Sequence, residues 1–152
     1  MTFDTAAMVA ELTRDEGVRL RVYDDATGEP LTPGKLLIGH PTIGVGRALD
    51  VNGISQAESD AMLESDIEHY IGELMGYAWF LTMDPVRQRA VVNMRHQLGL
   101  HGLLGFSKMI AAIERQDWAD AFAEGHNSAW YRQTPWRAER VLLQLRDGVV
   151  IA

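Results

Sequence analysis

The sequence predicts an α+β fold, in which a small mixed region precedes a helical region. Alternation of apolar and polar residues, which is typical of strands, is confined to the first fifty residues. From Ser55 onward the apolar residues recur at helical spacing instead. The 152 residues are 47% hydrophobic and 23% charged and include no cysteine, so we expect a packed core without disulfides.

The small region is predicted to begin with a helix and to continue into a sheet. Met8, Val9 and Leu12 share one face of the first helix, and Gly17 is suited to end it. Further on, three prolines and two glycines between Glu29 and Pro41 indicate an irregular connection. The predicted elements are a helix over 4–16, a strand over 18–23, a turn over 24–28, the connection over 29–41, which could include a short strand at 36–38, and a strand over 42–46.

The helical region opens with a capping box, Ser55-x-x-Glu58, which predicts the start of a long helix. Prolines directly after Asp84 and Thr134 mark two further starts, because proline suits the first helical position. The predicted helices cover 55–75, 84–99, about 106–113, a segment capped by Asp117, and 134–148.

We expect these elements to form a single domain over 1–152. It would consist of a small α+β lobe at about 13–54, a connecting helix at about 55–75 and a helical lobe at about 76–152, with helix 4–16 packing on the helical lobe. A junction of this kind is a preferred place for a ligand-binding cleft.

The charge distribution bears on the choice of partner. The net charge of −7 argues against nucleic acid, because phosphate binding requires a clustered cationic surface. Residues 54–84 include seven acidic side chains and no lysine or arginine, a pattern that is typical of a solvated helix face. Residues 85–152 carry nine basic and six acidic side chains, so an anionic polymer could approach this part.

Two carboxyl groups and a hydroxyl in the small region could perform acid–base chemistry. Glu16 falls in the last turn of the first helix, where the helix dipole favours the protonated form of a carboxyl group. Asp25 lies in a polar turn, where a carboxylate stays ionised, and Thr42 could hold a water molecule. Such a pair suits glycosidic bond cleavage, in which one group protonates the leaving oxygen while the other activates water or stabilises the oxocarbenium-like centre. Spacing alone does not distinguish this pair from two local hydrogen-bond acceptors, since the chain has 21 acidic residues.

Six short motifs occur in order along the chain, between Asp15 and Arg140. They are Asp15-Glu16-Gly17, Arg21-Val22-Tyr23-Asp24-Asp25, Thr42-Ile43-Gly44-Val45-Gly46, Asn93-Met94 with Gln97-x-Gly99, Gly105-Phe106, and Trp130-Tyr131-x-Gln133-Thr134-Pro135-x-Arg137-Ala138-x-Arg140. This series resembles the phage lysozymes of the T4 type, with a match from about Met8 to Gly148, and the last motif is the most specific.

The resemblance implies a lysozyme-like two-lobe fold and a muramidase activity without a cofactor. The enzyme would hydrolyse the β-1,4 bond between N-acetylmuramic acid and N-acetylglucosamine in peptidoglycan, with inversion at the anomeric carbon. By position, Glu16 corresponds to the catalytic acid, Asp25 to the second carboxylate and Thr42 to the hydroxyl that helps to place the nucleophilic water. Asp24, which directly precedes Asp25, does not correspond to a catalytic residue of the family. Arg137 matches an arginine that pairs with the catalytic acid.

The resemblance also implies contacts with the glycan strand at Gln97, His96, Trp130 and Glu124. His96 stands where the family has an aromatic residue, and Glu124 stands where it has an asparagine. The connection over 29–41 is longer than in the best-known member and is expected to form an extended hairpin or flap at the rim of the saccharide groove.

The remaining expectations concern metals, membranes and alternative functions. None of the five histidines forms a metal-ligand pair by spacing, so no metal site is predicted. Without a signal-peptide pattern or an apolar run of about 20 residues, we expect no membrane insertion. No exposed apolar stripe demands a partner, so we expect a monomer. It would wait in the host bacterial cytoplasm until a separate pore-forming protein gives access to the wall. The alternatives are a non-catalytic peptidoglycan-binding or phage structural module, and a lytic transglycosylase.

Overall fold

The computed structural model describes residues 3–151 and confirms the predicted α+β fold class. The contacts within the chain divide it into two compact units, with the boundary between Asp60 and Ala61. We call the part up to Asp60 the small unit and the part from Ala61 the helical unit.

The small unit contains two short helices and a three-stranded sheet. In chain order these are α1 (Thr5–Glu16), β1 (Arg19–Asp24), β2 (Pro41–Gly44), β3 (Arg47–Ala48) and α2 (Leu49–Asn52). The unit boundary falls inside the next helix, α3 (Gln56–Leu74), which has the predicted capping box of Ser55 and Glu58 at its start.

The first helix has a sequence-encoded cap at each end. The side chain of Asp4 accepts a hydrogen bond from the backbone N–H of Ala7, at 2.9 Å. At the other end Gly17 adopts a positive φ of 72°, and its N–H donates to the carbonyl of Thr13. These caps make Glu16 the last residue of α1, as predicted.

The sheet is antiparallel with the strand order β1-β2-β3. Tyr23 of β1 and Ala48 of β3 lie opposite Thr42 of β2, on either side of it. Gly44 and Gly46 both have a positive φ, which allows the tight turn between β2 and β3.

The connection between β1 and β2 does not contain the predicted short strand at 36–38. The N–H of Ile38 donates to Asp24 Oδ2 at 2.8 Å instead of to a neighbouring strand. Leu36 and Ile38 are 81% and 70% exposed, so this segment has no buried apolar face to hold it in a sheet. Side-chain to backbone hydrogen bonds organise the connection instead.

The helical unit contains most of α3 and six further helices within the described residues. They are α4 (Ala78–Leu81), α5 (Pro85–Leu104), α6 (Ser107–Glu114), α7 (Trp118–His126), α8 (Ala129–Gln133) and α9 (Pro135–Asp147). Gly99, which was predicted to end a helix, has φ 72° and ψ 165° and produces a break inside α5, after which the helix resumes. Among the helices of residues 3–151, none has the length and apolarity needed to cross a membrane.

The apolar core lies in the helical unit, where α9 packs against α5 and α7. Its largest fully buried side chains include Phe80, Met94 and Leu142. Asp84 caps α5 by accepting from two backbone N–H groups, and Gly148 closes α9 in the left-handed conformation. The core therefore fixes the positions of the helices that carry the predicted substrate contacts.

Candidate active site

Glu16 is exposed at the end of α1, beside the turn between β2 and β3. A Cβ atom added to Gly46 would lie 3.5 Å from Glu16 Oε2, so the carboxyl group rests close to the backbone of this turn. The glycine therefore leaves room for the carboxyl group next to the sheet.

The adjacent residues Asp24 and Asp25 have different surroundings. The carboxylate of Asp24 is buried and accepts hydrogen bonds from the backbone N–H groups of Ala26, Ile38 and Gly39, at 2.8 to 3.0 Å. The hydrogen bond from the Ile38 N–H, with help from those of its neighbours, holds the pKa of Asp24 below its usual value. Asp24 therefore stabilises the connection, and its oxygens are already engaged by the backbone.

Asp25, in contrast, is exposed, and its carboxylate has free hydrogen-bond acceptor positions. Its Oδ1 accepts one hydrogen bond from the N–H of His40, at 2.7 Å. A carboxylate has about four acceptor positions, so Asp25 can accept further hydrogen bonds from water or from a ligand. Of the two neighbours, Asp25 is the one whose carboxylate keeps acceptor positions free for a ligand.

Thr42 lies in the middle strand and is 3% exposed. Its hydroxyl donates to the backbone carbonyl of His40 at 3.2 Å. Because the proton is used in this bond, the hydroxyl oxygen has only acceptor capacity left for a ligand. The same His40 carbonyl also accepts from the N–H of Asp25, at 3.1 Å.

All three residues predicted for catalysis thus lie in the small unit, and Asp25 and Thr42 share His40 as a hydrogen-bond partner. Gly39 and His40 were not predicted as site residues, although both lie within the three residues that precede Thr42. Their signal is local: a histidine followed by Pro41 at the start of a strand, in a connection rich in proline and glycine.

Two of the residues predicted to contact substrate form one hydrogen-bonded pair in the helical unit. The indole N–H of Trp130 donates to Gln97 Oε1 at 2.9 Å, and the ring is only 4% exposed. The edge of Trp130 and the side chain of Glu124 line a pocket of about 580 Å³, together with Phe106 and Lys108. This pocket is large enough for a small ligand.

His96 lines a second, smaller groove of the helical unit, of about 340 Å³. Arg137 lines the same groove, and its Nε donates to Asn93 Oδ1 at 3.0 Å. The four predicted substrate contacts are therefore divided between two places. The pairing of Arg137 with Glu16 stays a prediction. Within residues 3–151, no group of three or more histidine, aspartate or glutamate side chains is arranged to hold a metal ion.

Comparison with known proteins places this chain in the class of the lysozymes. The phage lysozyme family matches residues 13–141, which is most of the chain. The chain belongs to the phage lysozyme family. This membership supports a muramidase-type glycoside hydrolase.

Three relatives are similar over much of the sequence. The pre-baseplate central spike protein Gp5 of Enterobacteria phage T4 is 32% identical, covering 93% of this chain but only 28% of the spike protein. Probable T4-type lysozyme 1 of Dictyostelium discoideum is 32% identical, covering 65% of this chain and 61% of that protein. Probable T4-type lysozyme 2 of the same organism is 29% identical, covering 91% of this chain and 93% of that protein.

Proposed function

We propose that this protein hydrolyses the β-1,4 bond between N-acetylmuramic acid and N-acetylglucosamine in peptidoglycan, with Glu16 as general acid. The observation that carries the proposal is the difference between the carboxyl groups of the small unit. Asp24 is buried and saturated by backbone donors, whereas Glu16 and Asp25 are exposed at the same small sheet. Membership of the phage lysozyme family supports this assignment.

In the proposed reaction, Glu16 donates its proton to the glycosidic oxygen as the bond from that oxygen to the anomeric carbon breaks. A water molecule attacks the anomeric carbon from the opposite face, and its proton passes to the Asp25 carboxylate. Thr42 accepts a hydrogen bond from this water, which sets the direction of attack. Attack from the opposite face produces inversion, and the two products together gain one water molecule.

We further propose that the helical unit binds the glycan strand. Trp130, held by Gln97, supplies an aromatic edge in the larger pocket, and Glu124 supplies a hydrogen-bond acceptor for hydroxyl or amide groups of the substrate. His96 and Arg137 would contribute at the smaller groove. The partner is the peptidoglycan strand, and we propose no nucleic acid, metal or cofactor.

The biological setting is also a proposal. We infer that the protein is a monomeric endolysin that stays in the host cytoplasm, without inserting into the membrane, until a separate pore-forming protein gives access to the wall, and that its action lyses the host. An alternative setting is a component of the phage particle, which the similarity to the T4 spike protein favours. Co-sedimentation of the protein with purified virions would separate these two settings.

The test of the activity is the clearing of a suspension of bacterial cells permeabilised to expose the wall. We expect Glu16→Gln to slow clearing by about 100-fold or more, because removing a general acid costs roughly 10²–10⁴ in rate. Glu11→Gln is a matched control, since Glu11 is an exposed glutamate of the same helix. Equal clearing by wild type and Glu16→Gln would remove the acid assignment.

The same preparations distinguish the other candidate activities. A non-catalytic module binds insoluble peptidoglycan but releases no fragments. A lytic transglycosylase releases anhydro fragments, whose mass lacks the added water, and depends on Glu16 but not on Asp25. We expect Asp25→Asn to lose activity, as hydrolysis requires.

A further inference from the structure

His40 connects the two groups that are proposed to hold the nucleophilic water. Its backbone N–H donates to Asp25 Oδ1 at 2.7 Å. Its carbonyl oxygen accepts from the N–H of Asp25 at 3.1 Å and from the hydroxyl of Thr42 at 3.2 Å. The position of this one residue therefore determines both the direction of the Asp25 carboxylate and the rotamer of Thr42.

The side chain of His40 is anchored away from these contacts. Its Nδ1 lies 2.8 Å from Oδ2 of Asp50, in the first turn of α2. Since an ionised Asp50 can only accept, Nδ1 carries the proton in this bond. The bond attaches His40 to α2, which follows β3 directly. Residue 40 is therefore held through its side chain as well as through its backbone.

The residues before His40 leave little freedom for the segment. The N–H groups of Ile38 and Gly39 are bound by the buried carboxylate of Asp24. A side chain on Gly39 would collide with Asp25 Oδ1 and with Ala26, so the backbone passes directly against the carboxylate. Residues 38–40 thus form a short strap across Asp25, with Asp24 at one end and the His40–Asp50 pair at the other.

We propose that His40 is a positioning residue of this enzyme, which holds Asp25 and Thr42 in the orientation that the attacking water requires. The proposal rests on the proposed hydrolytic function and adds a residue that does not itself touch the reacting atoms. Small displacements of positioning groups are costly, since an error of about 1 Å can reduce the rate by about 10²-fold.

The charges around the imidazole are consistent with this role. The carboxylate of Asp50 raises the pKa of His40, mainly through their hydrogen bond, and the carboxylate of Asp25 raises it further. Both charged groups that act on the ring are negative, so the cationic form of His40 is favoured between them. A charged hydrogen bond to Asp50 is stronger than a neutral one, although solvent reaches both side chains, which are 52% and 45% exposed.

The test is the measurement of kcat and KM on purified peptidoglycan for three variants. His40→Ala removes the anchor, and we expect kcat to fall about tenfold with KM nearly unchanged. His40→Asn places an amide N–H donor near the position of Nδ1, so it should restore kcat to within about threefold of wild type. Asp50→Ala removes the acceptor at the other end of the bond and should lower kcat without touching residue 40.

Two substitutions provide matched controls. His69→Ala removes another exposed histidine that lies beside a carboxylate, with 3.4 Å between His69 Nε2 and Glu73 Oε1. Lys35→Ala removes an exposed charge from the same connection as His40, where Lys35 contacts Glu29 and the carbonyl of Pro30. Both variants should keep the wild-type kcat.

Each outcome decides the proposal. Wild-type kcat in a folded His40→Ala, a loss that His40→Asn does not restore, or an effect on KM alone overturns the positioning role. If His40→Ala does not fold, the comparison of Asp50→Ala with His40→Asn decides, since only the first should lose kcat. A wild-type protein that releases no fragments contradicts the proposed function instead, so the two failures are distinguishable.

Discussion

The two units of the chain bury different kinds of side chain. Within residues 3–151, the helical unit buries 17 hydrophobic residues between Leu74 and Leu145, whereas the buried side chains of the small unit are Asp24 and Thr42. Apolar burial is non-directional and yields stability roughly in proportion to area. Hydrogen bonds to a buried carboxylate require specific distances and angles, so they fix the relative positions of the groups that they join. Burial in the small unit therefore serves mainly to position polar groups, whereas burial in the helical unit serves mainly to stabilise the fold.

The largest effect on stability is expected in the core of the helical unit. Phe80 is 2% exposed, and Phe80→Ala should reduce the free energy of unfolding by about 3–5 kcal/mol, because it leaves a cavity among packed side chains. Urea unfolding followed by tryptophan fluorescence measures this loss. The neighbouring Leu81 is 51% exposed, so Leu81→Ala should cost much less. Equal losses in the two variants would show that the core does not carry the stability of this unit.

In the small unit, the substitution Gly39→Ala should affect activity more than stability. Gly39→Ala introduces a Cβ into the space occupied by Asp25 Oδ1 and the backbone of Ala26, so Asp25 must move. We expect kcat to fall about 100-fold, by the same sensitivity to small displacements. Gly72→Ala is the control, because a Cβ at that helical position meets no atom within 4 Å. A Gly39→Ala variant with wild-type kcat would show that the strap does not hold Asp25 in place.

A smaller effect is expected on acidification. The folded state lowers the pKa of Asp24, chiefly through the N–H of Ile38, so this carboxylate contributes stability above its unfolded pKa of about 3.9. That contribution disappears as the pH falls through the lower folded value. Hydrogen exchange of the Ile38 and Gly39 amides, corrected for intrinsic rates, should therefore accelerate in acid beyond that of core amides in α5. In Asp24→Asn this additional acid dependence should be absent, and its persistence would contradict the role of Asp24.

The sequence predicted the elements with strong local signals. The capping box at Ser55 and the proline-marked helix starts at Asp84 and Thr134 have local signatures, and they are confirmed within a residue or two. The strand proposed at 36–38 was wrong because its apolar residues are not buried and its amides bind Asp24. A run of three apolar residues does not reveal such a side-chain acceptor fourteen positions away.

For the candidate site, residue type and motif predicted Glu16, Asp25 and Thr42, and their roles stay predictions. The difference between Asp24 and Asp25 could not be derived from composition, because two adjacent carboxyl groups in a turn look equivalent until the backbone donors are known. The role of His40 was hidden for a similar reason. Its backbone, rather than its side chain, contacts Asp25 and Thr42, and backbone contacts leave little signature in residue type.

The most direct test of the proposed chemistry is digestion of purified peptidoglycan in ¹⁸O-labelled water, followed by mass spectrometry and by NMR of the freshly formed reducing ends. The arrangement of Glu16, Asp25 and Thr42 predicts one ¹⁸O atom at each new reducing end and the α-anomer as the first product, since attack on a β-linked sugar occurs with inversion. Anhydro ends without ¹⁸O, or a first product in the β-configuration, would contradict a water held by Asp25 and Thr42.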